Sequence, residues 1–154
     1  MSMVATTIGK TRRTSSAIYE RSDPRWHRIG APMTVAQLKA YCRTLPGATE
    51  TLYGEPYNFL VYSVGGKKFA YFKTSQPERW RFSTRVAPDR FIELTDMPGV
   101  KPARYRGRFY WITIVKVSGF PADYLTELVG WSHRWALTSL SKARQMAVLG
   151  PRVG

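Results

Sequence analysis

From residue 33 onward, two hydrophobic periods take turns along the chain. Val35, Leu38, Tyr41, Cys42 and Leu45 recur at helical spacing, which predicts a helix from Thr34 to Leu45. Thr34 and Gln37 stand three apart, as in a capping box, and Pro46-Gly47 stops the run. Asn58 to Val64 and Lys67 to Lys73 are rich in aromatic and β-branched residues and flank Gly65-Gly66. That predicts a hairpin with a two-residue turn at positive φ. With Val64 opposite Lys67, Tyr62 would face Phe69 and Leu60 would face Tyr71. Arg79 to Arg85 reads as a third strand. Pro88 to Thr95 reads as a short helix, with Pro88 in its first turn and Phe91, Ile92 and Leu94 as anchors. Ala103 to Arg106 and Arg108 to Val115 predict a second hairpin with Gly107 at its tip. Tyr124, Leu125, Leu128, Val129, Trp135, Ala136 and Leu140 predict a closing helix from Pro121 to about Ala143.

The expected order is α-β-β-β-α-β-β-α. Hairpin connections make the sheet of about five strands largely antiparallel, with helices over one face, an α+β class. The opposite face then needs polar cover or a partner. Residues 33–144 form the expected domain, and residues 145–154 read as a frayed tail. Residues 1–32 hold six basic and two acidic residues with little apolar periodicity, and read as a flexible basic extension. Such an arm suits nucleic acid, although an extension dispensable to the domain is the favoured reading.

Composition narrows the partners. With 24 Lys+Arg against 10 Asp+Glu, the 154-residue chain carries a net charge of +14, which favours polyanions over cations. Cys42 is the only cysteine, so an intramolecular disulfide and a cysteine-based zinc site are both excluded. No apolar run approaches the roughly 18 residues of a membrane span. The N-terminus has no apolar centre of a secretory signal, so a cytoplasmic protein is expected.

Catalytic signals are weak. His27 falls in the basic extension, and His133 and Ser132 are adjacent on a helix, where neighbours do not face each other. Glu50 and Glu55 flank Tyr53-Gly54 as a conceivable acid/base pair, but acids answering nearby arginines are commoner. Cys42 reads as a small buried hydrophobe. Trp111, Trp131 and Trp135 read as packing residues. A non-enzymatic protein without cofactor or metal is expected.

The strongest functional signal is arginine at alternate positions. Arg79, Arg81 and Arg85 would share one face of a strand, with Trp80, Phe82 and Thr84 on the other. Arg104, Arg106 and Arg108 repeat the arrangement against Tyr105 and Phe109. Such rows set guanidinium groups about 7 Å apart, near the spacing of phosphates along a nucleic-acid strand. Strict alternation turns the aromatics away from the arginines, so phosphate contact is expected more than base stacking. Lys67 and Lys68, beside Gly65-Gly66, would make one hairpin tip basic, as Arg106 and Arg108 would the other. These tips would act as wings on a groove. The plain alternative is a solvated surface on which charge prevents edge pairing.

Leu45-Pro-Gly-Ala-Thr-Glu50, Val64-Gly-Gly-Lys-Lys-Phe-Ala70, Pro98-Gly-Val-Lys-Pro102, Trp111-x-Thr113 and Glu127-Leu-Val-x-x-Ser132 resemble, in order and spacing, the MmcQ/YjbR family. The resemblance covers about Met33 to Ala143. It implies a frataxin-like (CyaY-like) α+β fold, also described as a double-wing DNA-binding domain, with no catalytic residue to carry over. The family's His-like and Asn-like positions before and within the last strand are Tyr110 and Ile112 here, and its helix tyrosine after serine is His133. The frataxin analogy would also suggest iron, but the first helix has no carboxylate and the charge repels cations. The expected function is DNA binding through phosphates by Lys67, Lys68, Arg79, Arg81, Arg85, Arg104, Arg106 and Arg108. A protein-interaction or chaperone-like module on the same sheet face is the alternative.

Overall fold

The computed structural model describes residues 32–150. Nearly all of the expected basic extension, His27 included, lies outside them. Within them the order is α1 (Val35–Thr44), β1 (Ala48–Tyr53), β2 (Phe59–Val64), β3 (Lys67–Lys73), β4 (Phe82–Arg85), α2 (Pro88–Thr95), β5 (Val100–Pro102), β6 (Trp111–Ile114), α3 (Ala122–Thr138) and α4 (Lys142–Leu149). The strands form one antiparallel sheet ordered β1-β2-β3-β4-β6-β5. The α+β class and antiparallel sheet follow the sequence expectation, with one strand more than anticipated.

Local signals account for the elements the sequence predicts. Thr34 caps α1 with the full capping box: its hydroxyl accepts from the Gln37 amide at 3.1 Å and its own amide donates to Gln37 Oε1 at 2.9 Å. Gly65 and Gly66 turn the β2–β3 hairpin at φ +56° and +83°, values that a two-residue turn of this hand requires. The extra strand is β1, exposed along most of its length at the sheet edge. It carries little hydrophobic alternation, and its pairing with β2 makes it a strand. Residues 145–149, part of the expected frayed tail, belong to α4, because Ser141 starts a new helix by accepting from the Arg144 amide.

Register sorts the sheet into two faces. Leu60, Phe72, Phe82, Ile114 and Val100 stand side by side across β2, β3, β4, β6 and β5, and join Leu38, Cys42, Leu125, Leu128, Val129 and Ala136 of α1 and α3 in the core. On the other face Val61, Tyr71, Ser83, Thr113 and Lys101 form the matching row. Val61 and Ser83 of that row are buried, Tyr71 and Thr113 half-buried and Lys101 exposed, and all five line the site.

A bulge corrects the expected hairpin register. Ser63 pairs with Lys68 and Tyr62 with Ala70, which leaves Phe69 as the extra residue. Phe69 and Ala70 are both buried, and Lys68 turns to the open face. The bulged Phe69 carbonyl accepts from Thr84 Oγ1 at 2.9 Å and from Ser132 Oγ at 2.7 Å, while Ser132 Oγ accepts from the Arg85 amide at 3.3 Å. Ser132→Ala is expected to cost about 1–3 kcal/mol, because it leaves the Arg85 amide without its acceptor and removes a donor from the bulge. Urea denaturation checks this, and a midpoint equal to wild type would contradict the assigned role.

Candidate nucleic-acid interface

The arginine stretches do not fold as two alternating strands. Strand β4 begins only at Phe82, since Trp80 at φ +71° ends the alternation before it. Phe82 and Thr84 are buried on the helix side, and Ser83 lies on the open face beside Arg81. The second stretch belongs to the connection between β5 and β6, where Tyr105 (φ +65°) and Tyr110 (φ +67°) flank a 3-10 turn over Gly107–Phe109. The expected second hairpin is therefore a longer loop joining Val100–Pro102 to Trp111–Ile114. Nor is the first tip a free wing. Arg144 donates to the Gly65 carbonyl at 2.6 Å, and Gly65 abuts Leu140 and Val148 at the α4 end of the molecule.

Four of the eight anticipated residues nevertheless converge. Lys68, Arg81, Arg104 and Arg106 line a groove of ≈ 690 Å³ across the open face, together with Lys73 and Lys101, which sequence reasoning did not select. Lys73 was within reach of it, being two residues from Tyr71 on β3. Lys101 was not, because β5 lay outside the strand expected there. Val61, Tyr71, Ser83 and Thr113 lie along the groove, and the Ser83 and Thr113 hydroxyls are joined at 2.7 Å. The other four residues stand apart. Lys67 is exposed near the turn. Arg79 lies against Trp80, Arg108 against Phe109, and Arg85 against Trp135 at 3.8 Å.

Electrostatics divides the groove cations into two groups. Glu78, the one acid in the lining, reaches Arg104 at 3.3 Å and Arg81 at 3.5 Å and so holds both guanidinium groups in place. Lys68, Lys101 and Arg106 have no carboxylate partner among the described residues. Arg106 is held instead by aromatic faces, 5.9 Å from the Tyr71 ring and 5.7 Å from Trp111, which are stacked on each other at 5.5 Å. Burial pushes the Tyr71 phenol above its usual range, while Arg106 and the hydrogen bond to Ser83 oppose the shift. Arg85 is lowered by burial and then by the like charge of Arg106, and its Nε has no hydrogen-bond partner among the described residues. It supports Trp111 and donates to the Phe109 carbonyl at 3.1 Å.

Aromatics and cations thus share one face, contrary to the strict-alternation expectation. Phe59, Tyr71 and Trp111 come from other segments than the arginines, and Tyr105, between Arg104 and Arg106, joins them at a positive φ that breaks the alternation. Phe59 meets Tyr71 edge-on at 5.1 Å, and Lys73 lies 4.4 Å over Phe59. Trp111 is buried, but beneath the 103–110 loop and outside the main core.

Glu50, His133 and Cys42, among the residues weighed for catalysis, have structural roles. Glu50 accepts from Tyr62 Oη at 2.6 Å and from Arg43 Nε at 2.9 Å, as an acid answering an arginine. His133 Nε2 meets the Pro46 carbonyl at 2.7 Å, and its ring abuts Phe69. Burial pushes the Cys42 thiol up to about 12, the behaviour of a packed hydrophobe. Among the described residues, no group of three or more His, Cys, Asp or Glu is placed to hold a metal ion, and no helix is long and apolar enough to cross a membrane.

Fold and site together define a small α+β domain whose helices cover one face of an antiparallel sheet and leave a cationic groove on the other. The chain belongs to the YjbR family, whose sequence model matches residues 43–135. Among solved structures it is similar to the Deinococcus radiodurans protein DR2400, which carries a DUF419 domain: 25% identity, a TM-score of 0.66, and coverage of 80% of this chain and 93% of that one. A protein from Pseudomonas syringae shares the fold at 18% identity and a TM-score of 0.56, covering 68% of this chain and 99% of that one. No curated protein matches the chain. Several motif residues have structural duties here: Glu50 anchors Tyr62, Thr113 bonds Ser83 and Ser132 holds the bulge.

Proposed function

We propose that the open sheet face is a nucleic-acid interface, with DNA the expected form, in a protein that binds rather than catalyses. One observation carries this reading. Lys68, Lys73, Arg81, Lys101, Arg104 and Arg106 converge on a single groove against one acid, Glu78. Placing six cations together costs repulsion that a row of phosphates would relieve. The aromatic support under Arg106 and the Glu78 bridge between Arg81 and Arg104 orient donors in advance, which lowers the entropy lost on binding.

Labelled DNA titrated from 50 to 300 mM salt tests the proposal. Each phosphate contact should contribute roughly 0.7–0.9 to the log–log slope. Replacing Lys68, Lys101 and Arg106 together with alanine should reduce that slope by about 2–3 while the fold persists. Affinity at low salt should fall by about 10- to 100-fold. Absence of binding at low salt, or a slope indifferent to the triple change, would sink the proposal. Capture of a protein partner on this face, insensitive to nuclease, would favour the protein-interaction alternative.

A further inference from the structure

We infer that the groove takes single-stranded nucleic acid, with unpaired bases stacked on Tyr105 and Tyr57 while Lys68, Lys101 and Arg106 hold the phosphates. The inference rests on the phosphate-binding reading above and adds the strandedness and the base contacts.

Tyr105 carries the argument. The residue is 89% exposed, yet its backbone sits at φ +65°, in the left-handed region that a bulky residue seldom occupies. At the other aromatic positions with positive φ, the ring has a packing partner. Trp80 lies under Lys39 at 3.8 Å and against Phe72, and Tyr110 packs on Phe91. The Tyr105 ring touches no other ring or cation among the described residues, although Arg104 and Arg106 flank it in sequence and all three line the groove. The strained backbone therefore displays an unpartnered aromatic face at a cationic cleft.

Tyr57 lines the same groove, is 65% exposed, and likewise lacks a ring or cation partner among the described residues. Its backbone is pinned: its amide donates to the Gly54 carbonyl, and its own carbonyl accepts from Lys73 Nζ at 3.1 Å. By contrast Tyr71 and Trp111 are stacked on each other and covered by Arg106, so their faces are already occupied. Two free tyrosine faces among phosphate-binding cations suit a strand whose bases are splayed out. A duplex offers only base edges in its grooves, because its bases are stacked on their neighbours.

Fluorescence anisotropy with three labelled 12-unit probes tests the inference: single-stranded oligothymidine, a duplex of the same length, and an abasic single strand of matching charge. Oligothymidine should bind at least tenfold more tightly than either of the others. Tyr105→Ala should weaken oligothymidine binding by about 5- to 100-fold and leave the abasic strand unchanged, with Tyr57→Ala acting in the same direction. Tyr105→Phe, which keeps the ring, should restore binding and guard against a folding artefact. Equal binding of duplex or abasic strand, or a neutral Tyr105→Ala, overturns the inference. If those probes still show the steep salt dependence lost in the triple variant, the phosphate reading survives alone. If none of the three binds at low salt, both fail.

Discussion

Trp111→Ala is expected to lower stability by about 3–5 kcal/mol, the range for removing a large buried aromatic ring. Trp111 is 2% exposed, yet it packs on the side of the sheet that the helices leave open. It stacks on Tyr71 at 5.5 Å, and the Arg85 and Arg106 guanidinium groups lie 5.8 and 5.7 Å from its ring. The loop above it cannot readily close the vacancy, because β5 and β6 are paired at its two ends and the Ala103 amide donates to the Trp111 carbonyl at 2.9 Å. A domain of this size has roughly 5–15 kcal/mol in all, so the loss is a large fraction. The urea midpoint should fall while the m value stays near wild type. Trp111→Phe should cost less and release Arg106 in part, which suits it to binding assays. A loss under about 1 kcal/mol for Trp111→Ala would mean that the open-face aromatic layer is not a packed structure.

Alkaline pH is expected to destabilise the protein through Cys42. The thiol is fully buried against the core and its pKa is pushed up from about 9 to about 12 by burial, with Arg43 opposing the shift. The folded state therefore keeps a proton that the unfolded chain releases above pH ~9. Stability is full below that point and declines as pH rises toward the folded-state value. Each pH unit costs about 1.4 kcal/mol, or about 4 kcal/mol by pH 12. Tyr62 acts in the same direction, raised first by burial and then by its hydrogen bond to Glu50. Urea denaturation at pH 8 and pH 11 should show a drop that is smaller in Cys42→Ala by about 2–3 kcal/mol. Equal drops in the two proteins would remove Cys42 from the account.

These two residues also mark how far sequence reading reaches. Cys42 was legible as a core position because helical spacing places it with Leu38 and Leu45, and the capping residues of α1 lie within the same short segment. The Gly65-Gly66 turn was legible for the same reason: its φ requirement is met by two adjacent residues. The sequence marks Trp111 as a packing residue, but its place on the open face depends on pairing with Arg85 of β4, which α2 and β5 separate from it in the chain. The register error at Phe69 has a similar origin. Its bulge is stabilised by Thr84 and Ser132, which are 15 and 63 residues distant.

The site shows the same division. Composition and charge pointed to a polyanion, and Lys68, Arg81, Arg104 and Arg106 were already among the chosen residues. Alternation then misplaced them, because Trp80, Tyr105 and Tyr110 adopt positive φ and break the two-residue period. By itself the sequence determined what depends on neighbouring residues: the helices it predicts, the hairpin turn, the excess of cations and the family motifs. The tertiary structure decided what depends on contacts across the sheet: the edge strand β1, the turn of Lys68 to the open face, and the meeting of cations and aromatics in one groove. A side chain's period along a strand is local, but the face it meets is set by which strands pair and where a bulge shifts them.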